Sequence, residues 1–238
     1  MNNFNIFATA AACVLLLAAP AGSAAAGLAR FPTMAPVAQY LIADRAQEIA
    51  LARTAAPASI AAAAEVLVLS SNGFDNAVKG DNGFVCLVER SWDKGFADAE
   101  FWDPKIRAPI CLNRAAAESV LPIYRERAKW ALSGASLQEI KRRTAASAAA
   151  HTPPAPGAMA YMLSKDQYLS DAGGHWYPHV MFFTPNIDAH AWGANLKASP
   201  VLSDDSIGLF TLFFIPVRKW SDGTLADYGP SPAGHHRH

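Results

Sequence analysis

The chain has 238 residues, of which 52% are hydrophobic and 17% are charged. That balance allows a sizeable core in a domain of ordinary size, and it excludes a chain that is disordered throughout. Basic and acidic side chains number 20 each, and no basic stripe with interleaved aromatic residues is present. The sequence therefore favours neither a nucleic-acid partner nor attraction to a strongly charged membrane surface.

The first thirty residues indicate the cellular compartment. An apolar run covers residues 8–19 and ends at Pro20, and small residues follow up to Ala26 and Gly27. A short apolar run before an Ala-x-Ala site is typical of a secretory signal peptide, although the first Lys or Arg is Arg30. The run is shorter than the roughly 20 residues that span a bilayer. We predict a signal peptide over residues 1–26 and an exported mature chain of residues 27–238, periplasmic or extracellular, without a transmembrane span; an Ala-rich low-complexity tail is the alternative.

Cleavage after residue 26 would leave two cysteines, Cys86 and Cys111. Disulfides form in oxidising compartments and stabilise a small domain by roughly 2–4 kcal/mol. The two residues are therefore a candidate disulfide, and two buried free thiols are the alternative.

The first elements after the signal peptide are a helix and three strands. Apolar residues at helical spacing predict an amphipathic helix over residues 36–53, with Pro36 in the first turn. Runs rich in β-formers predict strands at residues 65–70, 74–79 and 84–90. Gly73 and Gly83, each after an asparagine, indicate hairpin turns, so we predict an antiparallel meander. The third strand is apolar on both faces, which is typical of a central strand covered on both sides.

The remaining chain adds helices and further strands. Residues 91–112 resemble a loop, a helix over residues 113–133 should break at Pro122, and a capping box at Ser136 predicts a helix to residue 149. The stiff segment 151–157 is a candidate internal boundary of a single domain. Strands follow at 158–163, 180–184 and 208–217. The predicted fold is α+β: an antiparallel sheet of about six strands, with the N-terminal meander joined to C-terminal strands and the helices packed on one side.

One stretch combines backbone freedom with polar aromatic side chains. Gly173 and Gly174 precede His175, Trp176, Tyr177 and His179, and an apolar strand follows. Such a segment at the edge of a core is a usual place for a binding site. We predict a non-catalytic binding site there, for an unidentified small molecule or envelope component. The candidate neighbours of the site, at the end of the third strand, are Glu89, Arg90 and Trp92.

Two catalytic alternatives use the same histidines. In an extended chain His175 and His179 lie roughly 13 Å apart, at about 3.3 Å per residue, which is too far for one metal ion. We therefore predict no metal and no cofactor, although a turn at Trp176 and Tyr177 would bring the pair together. The other alternative is a hydrolase with Cys86 as its nucleophile and a histidine base; its predicted position in the middle of a strand is unusual for an activated thiol.

Overall fold

The computed structural model describes residues 31–227, so the predicted signal peptide lies outside the described residues. One mixed sheet of eight strands organises the chain. Its strands are β1 (Glu65–Ser70), β2 (Gly73–Val78), β3 (Val85–Glu89), β4 (Ala108–Leu112), β5 (Met159–Met162), β6 (His179–Thr184), β7 (Leu202–Asp204) and β8 (Thr211–Pro216). The spatial order is β2-β1-β3-β4-β5-β6-β8-β7, and every neighbouring pair is antiparallel except β1 and β3.

Five α-helices pack against this sheet. They are α1 (Arg45–Arg53), α2 (Ala58–Ala61), α3 (Arg114–Ser119), α4 (Leu121–Leu132) and α5 (Leu137–Ser147), and 3₁₀ turns occur at Val37–Gln39, Ser91–Asp93 and Ala189–Trp192. The predicted α+β fold class is therefore confirmed. The first helix is shorter than predicted. It begins at Arg45, nine residues after Pro36, because Asp44 caps it there by accepting a hydrogen bond from Ala46 N–H. The break near Pro122 and the Ser136 cap of α5 are as predicted.

The predicted meander is wrong in its second connection. β3 does not pair with β2 but lies on the opposite side of β1 and parallel to it, from Glu65↔Val85 to Val66↔Cys86. The link from β2 to β3 crosses the start of β1, where Glu65 N–H donates to Phe84 O. Gly80 makes this crossing possible, because a Cβ atom there would clash with the backbone of Ala64 and Glu65. Gly80 thus serves a close approach of two backbones, whereas Gly73 lies in the predicted hairpin between β1 and β2.

The sheet also has two strands that were not predicted, β4 and β7, which raise the count from about six to eight. Helices cover both faces of the sheet, and not one side as predicted. The side chains of β1, β3 and β4 alternate between two core clusters: Leu87 and Ile110 point into the larger one with α3, α4 and α5, whereas Cys86 and Val88 point into the smaller one with α1 and α2. The segment 151–157 joins α5 to β5, so strands before and after it share one sheet.

Candidate functional site

The predicted site residues form two groups, one at residues 89–92 and one at residues 175–179. Both groups lie at the same end of the sheet. Glu89 is the last residue of β3, and His179 is the first residue of β6. Because β4 and β5 lie between these strands, a spacing of about 4.8 Å per strand separates the two groups by roughly 14 Å. The loops that follow β3 and β5 meet at this end, where Arg107 and Tyr168 form an isolated β-bridge.

The group at the end of β3 is buried and holds elements together. Arg90 Nη2 lies 2.8 Å from Glu48 Oε1 of α1, and neither side chain is accessible to solvent. Arg90 Nε also donates to Tyr40 O at 2.7 Å, and the Tyr40 ring packs on Trp92 with 4.9 Å between ring centroids. This ion pair fixes α1 and the segment before it to the sheet, which is a structural role for Arg90 and Trp92.

Glu89 belongs to a buried polar cluster with Asp93, Tyr124 and Arg127. Burial and the Asp93 charge raise the pKa of Glu89 well above its usual value. Burial also raises the pKa of Asp93 to about 6, although the Arg127 charge and the Arg90 backbone N–H oppose this increase. Burial lowers the pKa of Arg127, whose guanidinium lies 4.6 Å from the Phe96 ring centroid. The cluster forms one internal network beneath the loops.

The histidine segment divides into an exposed and a buried part. His175 is exposed, and its ring lies 5.8 Å from the Trp220 ring. His179 is buried between Trp176 and Phe214, with ring centroids 4.7 and 5.9 Å away. Burial lowers the pKa of His179 to about 4. A neutral ring whose Nδ1 lies 2.8 Å from Tyr177 O supports the backbone of this segment.

Cys86 and Cys111 form a disulfide between directly opposite residues of β3 and β4, with Cα atoms 4.0 Å apart. Both residues are fully buried beneath α1. A disulfide-bonded sulfur is not a thiolate, so this arrangement gives no support to the Cys86 nucleophile of the hydrolase alternative. Within residues 31–227, the groups of three or more potential metal ligands also include neither His175 nor His179.

The sequence did not indicate a surface that the structure leaves uncovered. On the face that carries the disulfide, α1 packs on β1, β3 and β4. The same face continues across β5, β6 and β8, where none of the five α-helices of the described chain packs on it and only the 3₁₀ turn Ala189–Trp192 covers Phe213 of β8. We call this surface the open face, and it consists of Met159, Tyr161, Val180, Phe182 and Ile215. Register places these side chains on one side, since Cys111 is opposite Tyr161, Tyr161 is opposite Val180, and Val180 is opposite Ile215.

The open face is apolar and partly accessible: Phe182 is exposed, the other four residues are half-buried, and Tyr161 packs against the smaller core cluster. Phe182 is 37% exposed, and Val180 and Ile215 belong to neither of the core clusters found among the described residues. At its rim Trp192 covers Phe213, with 5.5 Å between ring centroids, and is itself 66% exposed. Contiguous exposed apolar surface of this kind typically marks an interaction site. The continuous apolar run along β6 could not reveal it, because a strand covered on both faces has the same pattern.

A cleft lies beside α1 at the end of the sheet where the loops after β3 and β5 meet. It is an open cleft of about 480 Å³, lined by Gln47, Leu51, Thr54, Arg107 and Asp166 among others. Burial and the Arg90 charge lower the pKa of Arg107 to about 10. Arg107 donates to the carbonyl groups of Pro104, Ile106 and Gln39.

Comparisons with known proteins gave no relative of this chain: no family model, no curated protein and no solved structure matches it. The helices within residues 31–227 also include none with the length and apolar character needed to cross a membrane.

Proposed function

We propose that this chain is an exported, non-catalytic interaction domain of the cell envelope that binds an apolar helix of a partner protein on its open face. The observation that carries the proposal is the uncovered apolar surface of β5, β6 and β8. Its five residues are uncharged, so a partner must bring apolar side chains to this surface and can leave its own charges at the rim.

The dimensions of the open face favour a helix as the bound element. Three strands are roughly 14 Å wide at about 4.8 Å per strand, and six residues extend roughly 20 Å. An α-helix is about 10–12 Å across, so one helix of three to four turns would cover the surface. The covered part of the same face offers a precedent, because the nine-residue α1 packs on the three strands β1, β3 and β4.

Export is supported by two separate observations. The N-terminal sequence has the pattern of a signal peptide, and the buried Cys86–Cys111 disulfide is consistent with an oxidising compartment. An envelope protein with a solvent-exposed apolar surface needs a resident partner there, because such a surface otherwise promotes aggregation.

Site-specific photo-crosslinking in cells that export the protein tests the proposal. A benzophenone amino acid at Phe182 should give a defined protein adduct, and mass spectrometry should locate the linked residue on an amphipathic helix of the partner. The control position is Leu225, an exposed apolar residue outside the open face. In the Phe182 derivative, the further change Val180→Lys should abolish the adduct while the protein remains folded; because Val180 is half-buried, its melting temperature should fall by a few degrees.

Three outcomes would overturn this function. Equal adducts at positions 182 and 225 would mean non-specific contact, and no adduct at position 182 would mean that the surface has no protein partner. Sedimentation with phospholipid vesicles that is lost in the Val180→Lys variant would show that the open face binds a lipid surface instead.

A further inference from the structure

We infer that Glu100, Asp103 and Asp171 form a site for a divalent cation with oxygen ligands, of which calcium fits best. One carboxylate oxygen from each residue lies within 4.8 Å of the other two. Two oxygens on opposite sides of a calcium ion are about 4.8 Å apart at a calcium–oxygen distance of about 2.4 Å. The three oxygens can therefore contact one ion after small side-chain movements.

The carboxylates are withdrawn from water to an unusual degree. The exposed fractions are 0% for Asp103, 5% for the Asp171 side chain and 15% for the Glu100 side chain. Buried charges of one sign are costly unless a cation or hydrogen bonds compensate them. This distinguishes the group from acidic residues that merely share a solvated surface.

Asp103 provides the independent indication of a missing ligand. Its Oδ1 accepts a hydrogen bond from Lys105 N–H at 2.9 Å. Its Oδ2 is buried and has no hydrogen-bond partner within the described chain. A buried carboxylate oxygen normally has a partner, and a cation between Asp103 and its two acidic neighbours would supply one.

Two lysines at the rim contact the cluster. Lys105 Nζ contacts Asp171 Oδ1, and its side chain is half exposed, so it can move away. Lys94 Nζ lies 3.1 Å from Glu100 Oε2 and 3.1 Å from Asp98 Oδ2. Arg107 interacts with the Asp103 charge, but its hydrogen bonds go to backbone carbonyl groups.

The cation would join two loops at the same end of the sheet. Glu100 and Asp103 lie in the loop between β3 and β4, and Asp171 lies in the loop between β5 and β6. The loops already meet here, since Glu100 Oε1 accepts a hydrogen bond from Asp171 N–H at 3.0 Å. An all-oxygen ligand set favours calcium or magnesium over zinc. Calcium tolerates irregular geometry, whereas magnesium requires near-ideal octahedral coordination.

Calorimetric titration of chelator-treated protein with calcium chloride tests this site. We expect a dissociation constant of about 0.1–1 mM, as in extracellular calcium modules. We also expect terbium luminescence on excitation of tryptophan and tyrosine, because Trp102 and Tyr168 are near the carboxylates, the Tyr168 hydroxyl in contact with Asp171. Asp103→Asn and Glu100→Gln should each weaken calcium binding at least tenfold, and Lys105→Met should strengthen it.

The matched control is Asp98→Asn, which alters a carboxylate of the same loop outside the group of three. It should leave the dissociation constant within about twofold, and its amide oxygen can still accept the Glu100 N–H bond that Asp98 accepts now. No binding to the unaltered protein at 10 mM calcium would overturn the inference, as would equal weakening by Asp98→Asn and Glu100→Gln, or binding of zinc alone. If Asp103→Asn does not fold, the Glu100→Gln and Lys105→Met variants decide.

Discussion

The two halves of the sheet have similar apolar strands but different surroundings. In the covered half, β1, β3 and β4 have α1 and α2 on one face and the larger core cluster on the other. In the open half, β5, β6 and β8 send Met162, Met181 and Phe183 into the same larger cluster, while the open face is uncovered. The covered half also contains the disulfide and the Glu48–Arg90 ion pair. We infer that the covered half provides stability and the open half provides binding.

The disulfide should give the largest effect on stability. It closes a separation of 25 residues, for which the chain-entropy model predicts about 3.5 kcal/mol. We expect the double variant Cys86→Ala, Cys111→Ala to lose about that free energy of unfolding, measured by urea denaturation. Intact mass of the exported protein should show cleavage after residue 26 and a deficit of two protons.

The reductant response is the internal control for this prediction. Reductant should destabilise the unaltered protein toward the value of the double variant and should not affect the variant itself. Two free thiols in the native protein, or a loss below about 1 kcal/mol, would contradict the stabilising role of the covered half.

The two halves should respond oppositely to pH. In the covered half the pKa of Asp93 is raised to about 6, so the folded state retains a proton that the unfolded state releases near pH 4. This stabilisation is complete below pH 4 and disappears as pH rises through 6. In the open half the pKa of His179 is lowered to about 4. Its contribution is complete above pH 6.5 and disappears as pH falls through 4, because the unfolded state takes up the proton first.

Urea unfolding between pH 4 and 7 separates these contributions. Each shift of about two pKa units corresponds to about 3 kcal/mol at most, at 1.36 kcal/mol per unit. Relative to the unaltered protein, Asp93→Asn should make stability rise more steeply with pH, and His179→Gln should make it rise less or fall. Glu89 acts in the same direction as Asp93, since its pKa is also raised. If both variants changed the slope of unfolding free energy against pH in the same direction, the predicted opposite responses of the two halves would be wrong.

Local patterns predicted the elements that depend on local interactions. The strand predicted at residues 65–70 is β1, because four consecutive apolar residues fill it, two of them β-branched valines. Ser136 begins α5 through the predicted hydrogen bond to Glu139 N–H. β4 was missed because Pro109 argues against a central strand. However, β5 pairs only with Cys111 and Leu112 of β4, so Pro109 lies beyond the paired part on that side.

The sequence could not predict which distant strands pair or which strand faces the helices cover. Nothing local indicates that β3 passes β2 and pairs with β1. The candidate site shows the same limit, because Arg90 after β3 resembles an exposed strand end and is buried by Glu48 of α1. Glu100 and Asp171 are 71 residues apart in the chain and meet only because two loops lie at the same end of the sheet. Whether a helix covers an apolar strand face is likewise a tertiary property.

A matched pair of valines gives the smallest and most direct test of the comparison. Val88 and Val180 point to the same face of the sheet, Val88 under α1 and Val180 on the open face. Val88 is fully buried, whereas Val180 is only half-buried. Replacement of Val88 by Ala should cost about 2 kcal/mol, because two methyl groups are lost at about 0.8 kcal/mol each and a cavity remains. Val180→Ala should cost under about 1 kcal/mol of unfolding free energy when the isolated protein is denatured in urea.

In cells, however, Val180→Ala should weaken the Phe182 photo-adduct, and Val88→Ala should leave it unchanged in any folded protein. Equal stability losses at the two positions would mean that the open face is covered after all, and the division between a stabilising half and a binding half would then fail.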